Sequence, residues 1–363
     1  MVLMALDHVR YFLMDVRVNP TDAATTTVPL FFTRWITHLC APVFMVLAGV
    51  GARLSLGRGR DPGSLSRFLL TRGLWLVLLE LTVARAAWQF NFDYGYSAAL
   101  VLWVLGWCMV ALAAVVHLPD RWILLVGGAM VLLHNLADGV AASGLGNLGW
   151  LWTILHEPGT IALGSGAGLF VLYPLVPWIG VLALGYAAGP IFTTEPALRD
   201  RTCVRLGLAL LAAFLILRWV NRYGDPSPWS VQSSLTRTVL AFLDTTKYPP
   251  SLLYLLMTLG PAVMFVPLFD RLQGRFADLL RVLGQVPLFF WLLHVPLIHG
   301  VAVALSLVRY GTVTPWLVRN PPVDQPPDYG YGLPVVYFVT LAVVAVLYPV
   351  CRWFAAVKKR RRS

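Results

Sequence analysis

Charge is what this sequence has least of. Only 12% of its 363 residues are charged, and Asp and Glu together number 17. A soluble chain carries roughly twice that share of charge, so a water-soluble enzyme or binding domain is excluded. Cysteine is scarce too. Cys40, Cys108, Cys203 and Cys351 are scattered, mostly in apolar runs, with neither metal-ligand spacing nor a disulfide framework. Thiol chemistry and a metal centre are therefore not expected. No phosphate-cradling loop appears: "LGSGAG" (163–168) does not lead from a strand into a helix. There is no repeat at a solenoid period, and the only low-complexity piece is the basic tail "KKRRRS".

What fills the space is apolar. Hydrophobic residues make up 58% of the chain, and mean hydropathy is +0.72. A helix needs roughly 20 apolar residues to cross a bilayer. Nine stretches qualify, at about 35–56, 66–88, 97–117, 121–139, 168–192, 203–221, 250–269, 284–307 and 333–355, with residues 1–17 as a shorter tenth. The expected fold is an all-α integral membrane bundle of about ten helices, forming one domain over 1–355 with a basic cytoplasmic tail at 356–363. The opening residues have no basic n-region or small-residue cleavage site, so they read as a span and not as a signal peptide.

The net charge of +11 does not mark a nucleic-acid binder, because the cations are not on one soluble face. They report topology instead. Arg53, Arg58, Arg60, Arg67, Arg72, Arg121, Arg199, Arg201, Arg205, Arg271, Arg275, Arg281, Arg352, Lys358, Lys359, Arg360, Arg361 and Arg362 fall on one side, 18 of the 28 Lys and Arg. The four longest connections, about 18–34, 140–167, 222–249 and 308–332, fall on the other. The positive-inside rule puts both termini in the cytoplasm, and ten spans agree with that parity. The tail is expected to lie against anionic lipid.

In this frame the unusual polar residues gather toward the outer half. Asp7, His8 and Arg10 lie in the first span. Arg34 and His38 open the second at (i, i+4), and His134 and Asp138 close the fifth at the same spacing inside "LLHNLADG". "YPLVPW" (Tyr173 to Trp178) enters the sixth, "LRWVNRYGDPSPW", with Arg218, leaves the seventh, and "TTKYPPS" enters the eighth. His294 and His299 flank Pro296 in the ninth. Ionisable residues within a membrane mark a site or a pathway. Several features have plainer readings. Glu80 and Arg85 read as a buried structural pair, the 14 Trp and 13 Tyr mostly as an interfacial belt, His117 as interfacial, and the proline-rich stretches as rigid turns. His294 and His299 are about 140° apart on a helix, which disfavours a shared metal or haem. Three classes stay open on these residues alone: a membrane enzyme, a transporter or flippase of small molecules or lipid-linked sugars, and a haem or quinone subunit. The transporter lacks a detectable inverted repeat.

The stretches "LMALDHVRYF", "TRWITHLCAPVFMVLAGVGA", "LLHNLADG", "YPLVPWIGVLALGYAAG", "NRYGDPSPW" and "KYPPSLLYLLMTLGPA" resemble the bacterial DUF1624 group. That group is similar to the catalytic domain of heparan-alpha-glucosaminide N-acetyltransferase, within the transmembrane acyltransferase superfamily. The resemblance implies an enzyme of the bacterial inner membrane. It would move an acetyl or acyl group from cytosolic acyl-CoA to an amino or hydroxyl group, of a sugar or glycan, on the far side, with the oligomeric state, monomer or homodimer, open. The superfamily's recurrent histidine falls on His8. The group's pattern also matches at Asp7, Arg34, His38, His134, Asn135, Asp138, Trp178, Asn221, Tyr223, Asp225, Lys247 and Tyr248. Relatives carry one or two more helical turns before the position of Met1, so the first span is expected to be truncated at its N-terminus.

The chemistry expected of that site is acyl transfer. His8 is the candidate general base or acyl carrier, with Asp7 or Asp138 to orient it and His38 beside it. Arg34, His134, Asn135, Asp138, Tyr173, Trp178, Arg218, Asn221, Tyr223, Asp225, Lys247, Tyr248, His294 and His299 are candidates for holding substrate. Arg53, Arg58 and Arg72 are candidates for the CoA phosphates.

Overall fold

A computed structural model describes residues 1–360 other than 16, 58, 60, 321 and 322. Along the chain run α1 (Val2–Leu13), α2 (Val28–Thr37), α3 (Cys40–Leu56), α4 (Pro62–Leu79), α5 (Arg85–Gln89), β1 (Tyr96–Ala99), α6 (Val101–Val115), α7 (Asp120–Leu133) and α8 (Gly149–Leu155). They are followed by β2 (Gly159–Gly164), β3 (Ala167–Val171), α9 (Leu175–Ala188), α10 (Pro196–Val220), α11 (Leu235–Leu243), α12 (Leu252–Met264), α13 (Val266–Arg271), α14 (Arg275–Gln285), α15 (Pro287–Tyr310) and α16 (Leu333–Arg360). Helices start where the sequence offers caps. Thr27, Asp61, Ser234 and Ser251 each accept a backbone N–H in the first turn, and Pro29, Pro62, Pro196 and Pro287 sit at the first helical positions.

The chain is a predominantly α-helical multi-pass membrane protein. Among the described residues, six apolar helical stretches are long enough to span: Val28–Leu56, Leu175–Thr193, Pro196–Val220, Leu252–Arg271, Pro287–Tyr310 and Leu333–Arg360. A seventh appears if Asp120–Ala137 and Ala142–Leu155, bent by 114°, form one broken span. Ten were expected, and the difference has local causes. Helix α1 holds 12 residues, about 18 Å at 1.5 Å per residue. A π-helical turn at Glu80–Ala84 interrupts the third expected span, and α6 is only 15 residues long. Helix α7 gives way to a 3₁₀ turn at His134–Ala137, which puts the "LLHNLADG" polar residues at a break.

Two compact units are present. The first comprises Met1–Cys40, Thr82–Tyr96 and the chain from Arg271 onward; the second comprises Ala41–Leu81 and Ser97–Asp270. In the first, α1 packs on α2, α15 and α16, burying Ala5, Val9, Phe12, Leu13, Phe31, Phe290, Val295, Ile298 and Val336. In the second, α4 packs on α6, α7 on α9 and α10 on α12. Small residues set how closely these pairs approach. A Cβ on Gly73 or Gly106 would stand 2.5 Å from the other's carbonyl oxygen, and one on Gly207 would stand 2.7 Å from that of Gly260. Such contacts supply the van der Waals packing that lipid cannot drive hydrophobically. Outward-facing Leu74, Trp75, Leu78, Trp219, Phe338 and Leu341 suit an acyl-chain solvent. Strands β2 and β3 form an antiparallel hairpin beside β1. Its turn is "LGSGAG", with φ of +85° at Gly164 and +78° at Gly166, so those glycines serve a hairpin.

Candidate functional site

In the first unit the polar residues of α1 meet those of α2. Arg34 Nη1 donates to Asp7 Oδ1 at 2.6 Å and Oδ2 at 2.7 Å, and Arg10 Nη2 donates to Oδ1 at 3.1 Å. The Thr37 hydroxyl lies 3.1 Å from Asp7 Oδ1 and 2.7 Å from the Arg34 carbonyl oxygen. Arg10 is three residues from Asp7, and Thr37 three from Arg34, so each helix turns two of these groups to one face. His38 caps the C-terminus of α2 and is buried.

His8, one residue on, points elsewhere and meets α15. Its Nδ1 lies 2.7 Å from Nε2 of His294. The Nδ1 of His294 faces the carbonyl oxygens of Phe290 at 3.0 Å and Trp291 at 2.8 Å. Carbonyl oxygens only accept, so His294 Nδ1 carries its proton, and His294 Nε2 of the neutral ring is an acceptor. His8 Nδ1 therefore donates, and the basic lone pair of His8 sits on Nε2. The bond to Nδ1 expected from Asp7 or Asp138 is thus made by a second histidine. Trp88 sets its ring against His8 at 4.9 Å, edge to face. His299 turns away from this pair, donating from Nδ1 to Ala87 O at 3.0 Å. Its ring stacks on Phe12 and Phe90.

In the second unit the break after α7 organises a second polar set. Asn135 accepts from Leu252 N at 2.9 Å and donates to Asp138 Oδ2 at 2.8 Å. Asp138 Oδ1 takes His156 Nε2 at 3.1 Å. His156 was not singled out in the sequence. It lies 18 residues beyond Asp138, past an irregular stretch where no periodicity aligns the two, and "HEP" at the end of α8 was its one signal. His134 directs Nδ1 to Val131 O at 3.0 Å and Nε2 to Pro250 O at 2.9 Å. Both ring nitrogens of His134 face backbone carbonyls.

Several candidates for substrate contact spend their hydrogen bonds on backbone. Arg218 donates to Phe242 O, Ala241 O, Ser227 O and Asp244 O, three of which close the C-terminus of α11. Asn221, in the left-handed region at φ +57°, clamps Trp229 through both its N–H and its carbonyl. Tyr223 donates to Leu132 O, and burial raises its phenol pKa. Asp225 accepts from Ser227 N, Thr246 N, Thr246 Oγ1 and Ser251 Oγ at 2.7–2.9 Å. These four hold the connections around 221–251. Next to them, the Tyr173 and Tyr248 hydroxyls are 3.3 Å apart. Trp178 lies 5.8 Å from Tyr173, ring to ring, and Lys247 Nζ sits 5.2 Å from the Tyr248 ring centre.

Arg53 is engaged by a carboxylate, donating to Asp120 at 2.8 and 2.6 Å. Arg72 lies over the Phe68 ring, and Arg58 falls outside the described residues. Glu80 and Arg85 have partners other than each other. Glu80 accepts from Leu102 N at 2.7 Å and Trp103 N at 3.2 Å, capping α6. Arg85 binds the carbonyls of Asn91 and Asp93. Among the described residues no group of three His, Cys, Asp or Glu is placed to hold a metal ion.

The model for the catalytic domain of heparan-alpha-glucosaminide N-acetyltransferase matches residues 1–227. The chain belongs to that family. No curated protein and no solved structure matches it. The protein is thus a multi-pass membrane member of an N-acetyltransferase family, a class that favours catalysis over transport. The matched segment of this catalytic-domain family contains Asp7, His8, Arg34, His38, Asn135 and Asp138, whereas Lys247, Tyr248, His294 and His299 lie beyond it.

Proposed function

We propose that this protein transfers an acetyl or other acyl group from acyl-CoA to an amino or hydroxyl group of a sugar, with His8 Nε2 as the reacting nitrogen. The observation that carries this reading is the fixed tautomer. His294 occupies His8 Nδ1, so the base is one defined nitrogen of a ring that α15 holds in place. By general-base transfer, Nε2 takes the acceptor's proton as its nitrogen or oxygen attacks the thioester carbonyl. The tetrahedral intermediate collapses, the C–S bond breaks, and the proton passes to the leaving CoA thiolate. By the covalent route Nε2 itself attacks, CoA leaves, and the acceptor then takes the acyl group from the imidazole. The Asp7–Arg34 pair positions α1 for either route. Within the second unit, Arg218, Asn221, Tyr223 and Asp225 act as scaffold, and Asn135, Asp138, Tyr173, Trp178 and Tyr248 are that unit's own candidates for substrate contact.

Arginine distribution supports both termini in the cytoplasm of a bacterial inner membrane, with the tail against anionic lipid. Acyl-CoA then arrives from the cytoplasmic side, where Arg53, Arg58 and Arg72 meet its phosphates. The test is release of free CoA thiol by the purified protein, with acetyl-CoA as donor and glucosamine as acceptor. The expected result is thiol release that depends on both compounds and disappears in His8→Ala with its unfolding temperature unchanged. Turnover retained in that variant removes His8 from the mechanism.

A further inference from the structure

Asp138 is a carboxylate without an arginine. In the first unit Asp7 is balanced by Arg34 and Arg10. Among the described residues Asp138 pairs with no Lys or Arg, and the ionisable group hydrogen-bonded to it is His156. Asp138 Oδ2 accepts from Asn135 Nδ2 at 2.8 Å, and Asn135 Oδ1 is itself held by Leu252 N at 2.9 Å. Asp138 Oδ1 faces His156 Nε2 at 3.1 Å. A carboxylate only accepts, so His156 Nε2 carries a proton and the lone pair of the neutral ring sits on Nδ1.

That nitrogen is the open end of the relay. The residue is only 4% exposed, yet Nδ1 has no hydrogen-bond partner among the described residues and is not sealed off from open space, as Nε2 of His299 is. Its surroundings are tied down. The His156 backbone N–H closes on Trp152 O at 2.7 Å, and Glu157 accepts from Ala142 N. The Trp152 indole, 4.9 Å from the imidazole centre to centre, donates to Val140 O. His134 lies 6.1 Å away, ring to ring, and its nitrogens face carbonyls instead. A fixed lone pair backed by a carboxylate with no cation attracts a positively charged donor and repels an anion. An ammonium supplies both the N–H and the charge, and the Trp152 face suits a cation as well. A link that served the fold alone would need only the Nε2–H bond to Asp138.

We propose that Asp138 and His156 form a binding site for a protonated primary amine, whose N–H donates to His156 Nδ1 while the Asp138 carboxylate balances its charge. Both residues, with Asn135, Trp152 and Leu252, belong to the second unit. In the orientation proposed above, the 140–167 connection that carries His156 lies outside, so the amine is borne by a water-soluble compound on that side. The choice of an amino sugar as that compound rests on the acceptor reading above. Amine recognition itself does not, and it stands whether or not His8 is the acyl-transfer base.

The experiment is isothermal titration calorimetry of the full chain in an uncharged detergent at neutral pH and constant ionic strength. Glucosamine, N-acetylglucosamine, glucose and ethanolamine are the probes. Glucosamine should bind at least about tenfold more tightly than the two uncharged sugars, and ethanolamine should compete with it. His156→Gln keeps an N–H for Asp138 but has no acceptor at the Nδ1 position, so it should lose that preference with Tm unchanged. Asp138→Asn should weaken glucosamine and leave glucose alone. If neither variant folds, hydrogen exchange of the wild type decides: glucosamine should protect amides within 135–157 and not those of α1. The proposal is overturned if glucosamine binds no better than N-acetylglucosamine, if His156→Gln keeps the preference, or if protection falls only on α1. His8→Ala should bind glucosamine like the wild type, and loss of binding there would assign the amine to His8 instead. Amine binding without release of CoA thiol would sink the acyl-transfer reading alone.

Discussion

The Nε2 atom of His294 accepts a hydrogen bond from His8 Nδ1 across 2.7 Å, while His294 Nδ1 donates to the carbonyls that precede it in α15. The backbone of one helix thereby dictates the tautomer of a ring on another. A carboxylate in the same position would also stabilise the imidazolium that forms during proton transfer. A neutral imidazole does so more weakly, and it avoids placing a second acid beside Asp7 in a low-dielectric segment.

The first prediction follows from that bond. His294→Gln keeps an oxygen that can accept from Nδ1–H, whereas His294→Leu removes the acceptor and frees the ring to flip. His8→Ala should lower kcat by about 10²–10⁴-fold, the range for loss of a general base. His294→Leu should also lower kcat with KM for acyl-CoA unchanged, and His294→Gln should recover part of the loss. Initial rates of thiol release measure all three. Equal rates for the Gln and Leu variants would show that the hydrogen bond to Nδ1 does not matter.

The second prediction concerns the pair behind the base. Asp7 and Arg34 side chains are 18% and 13% exposed, and Asp7 also takes Arg10. Removing one partner strands the other's charge. Asp7→Asn or Arg34→Met should each cost roughly 3 kcal/mol, and the double variant less than their sum. Unfolding in detergent tests this. Additive losses would mean that the two side chains stabilise the fold separately.

Composition and periodicity made the membrane class and the polar residues of α1 legible, because an acid and an imidazole in an apolar run stand out by cost alone. Their partners were not legible. His294 is 286 residues from His8, and helical spacing reports which face a residue occupies, not which helix that face meets. His156 stayed hidden because the stretch joining it to Asp138 is irregular. Arg218 and Asp225 looked like ligand groups because the sequence does not reveal that helix α11 ends over one or that the 246–251 turn closes on the other. The span count of about ten rests on hydropathy alone, and six or seven stretches among the described residues are long and apolar enough to span. Hydropathy does not register a π turn at Glu80–Ala84 or the 114° bend between Asp120–Ala137 and Ala142–Leu155.

The third prediction tests helix packing. A side chain on Gly106 would collide with the Gly73 carbonyl at 2.5 Å and with Val77 Cγ2 at 2.8 Å. Gly106→Val should therefore destabilise by about 1–3 kcal/mol through overpacking. Gly51, within α3, has open space where a Cβ would go, so Gly51→Ala should gain about 0.5–1 kcal/mol from helix propensity. The opposite signs are the test. Two losses of equal size would mean that glycine is needed at these helix positions for flexibility and not for close approach.

The fourth prediction asks whether Arg53 is free to bind a phosphate. Its fork sits on Asp120 at 2.8 and 2.6 Å, with the two side chains 26% and 50% exposed. An ion pair this open contributes on the order of 0–1 kcal/mol, little enough for a doubly charged phosphate to displace it. If Arg53 holds the CoA phosphates, Asp120 competes with the substrate. Arg53→Ala should then raise KM for acyl-CoA several-fold, and Asp120→Asn should lower it, with kcat and Tm nearly unchanged in both. If Arg53 only ties α3 to α7, both substitutions should lower Tm slightly and leave KM alone. The sign of the Asp120→Asn effect on KM distinguishes the roles, because a purely structural pair has no means of making substrate bind more tightly when it is broken.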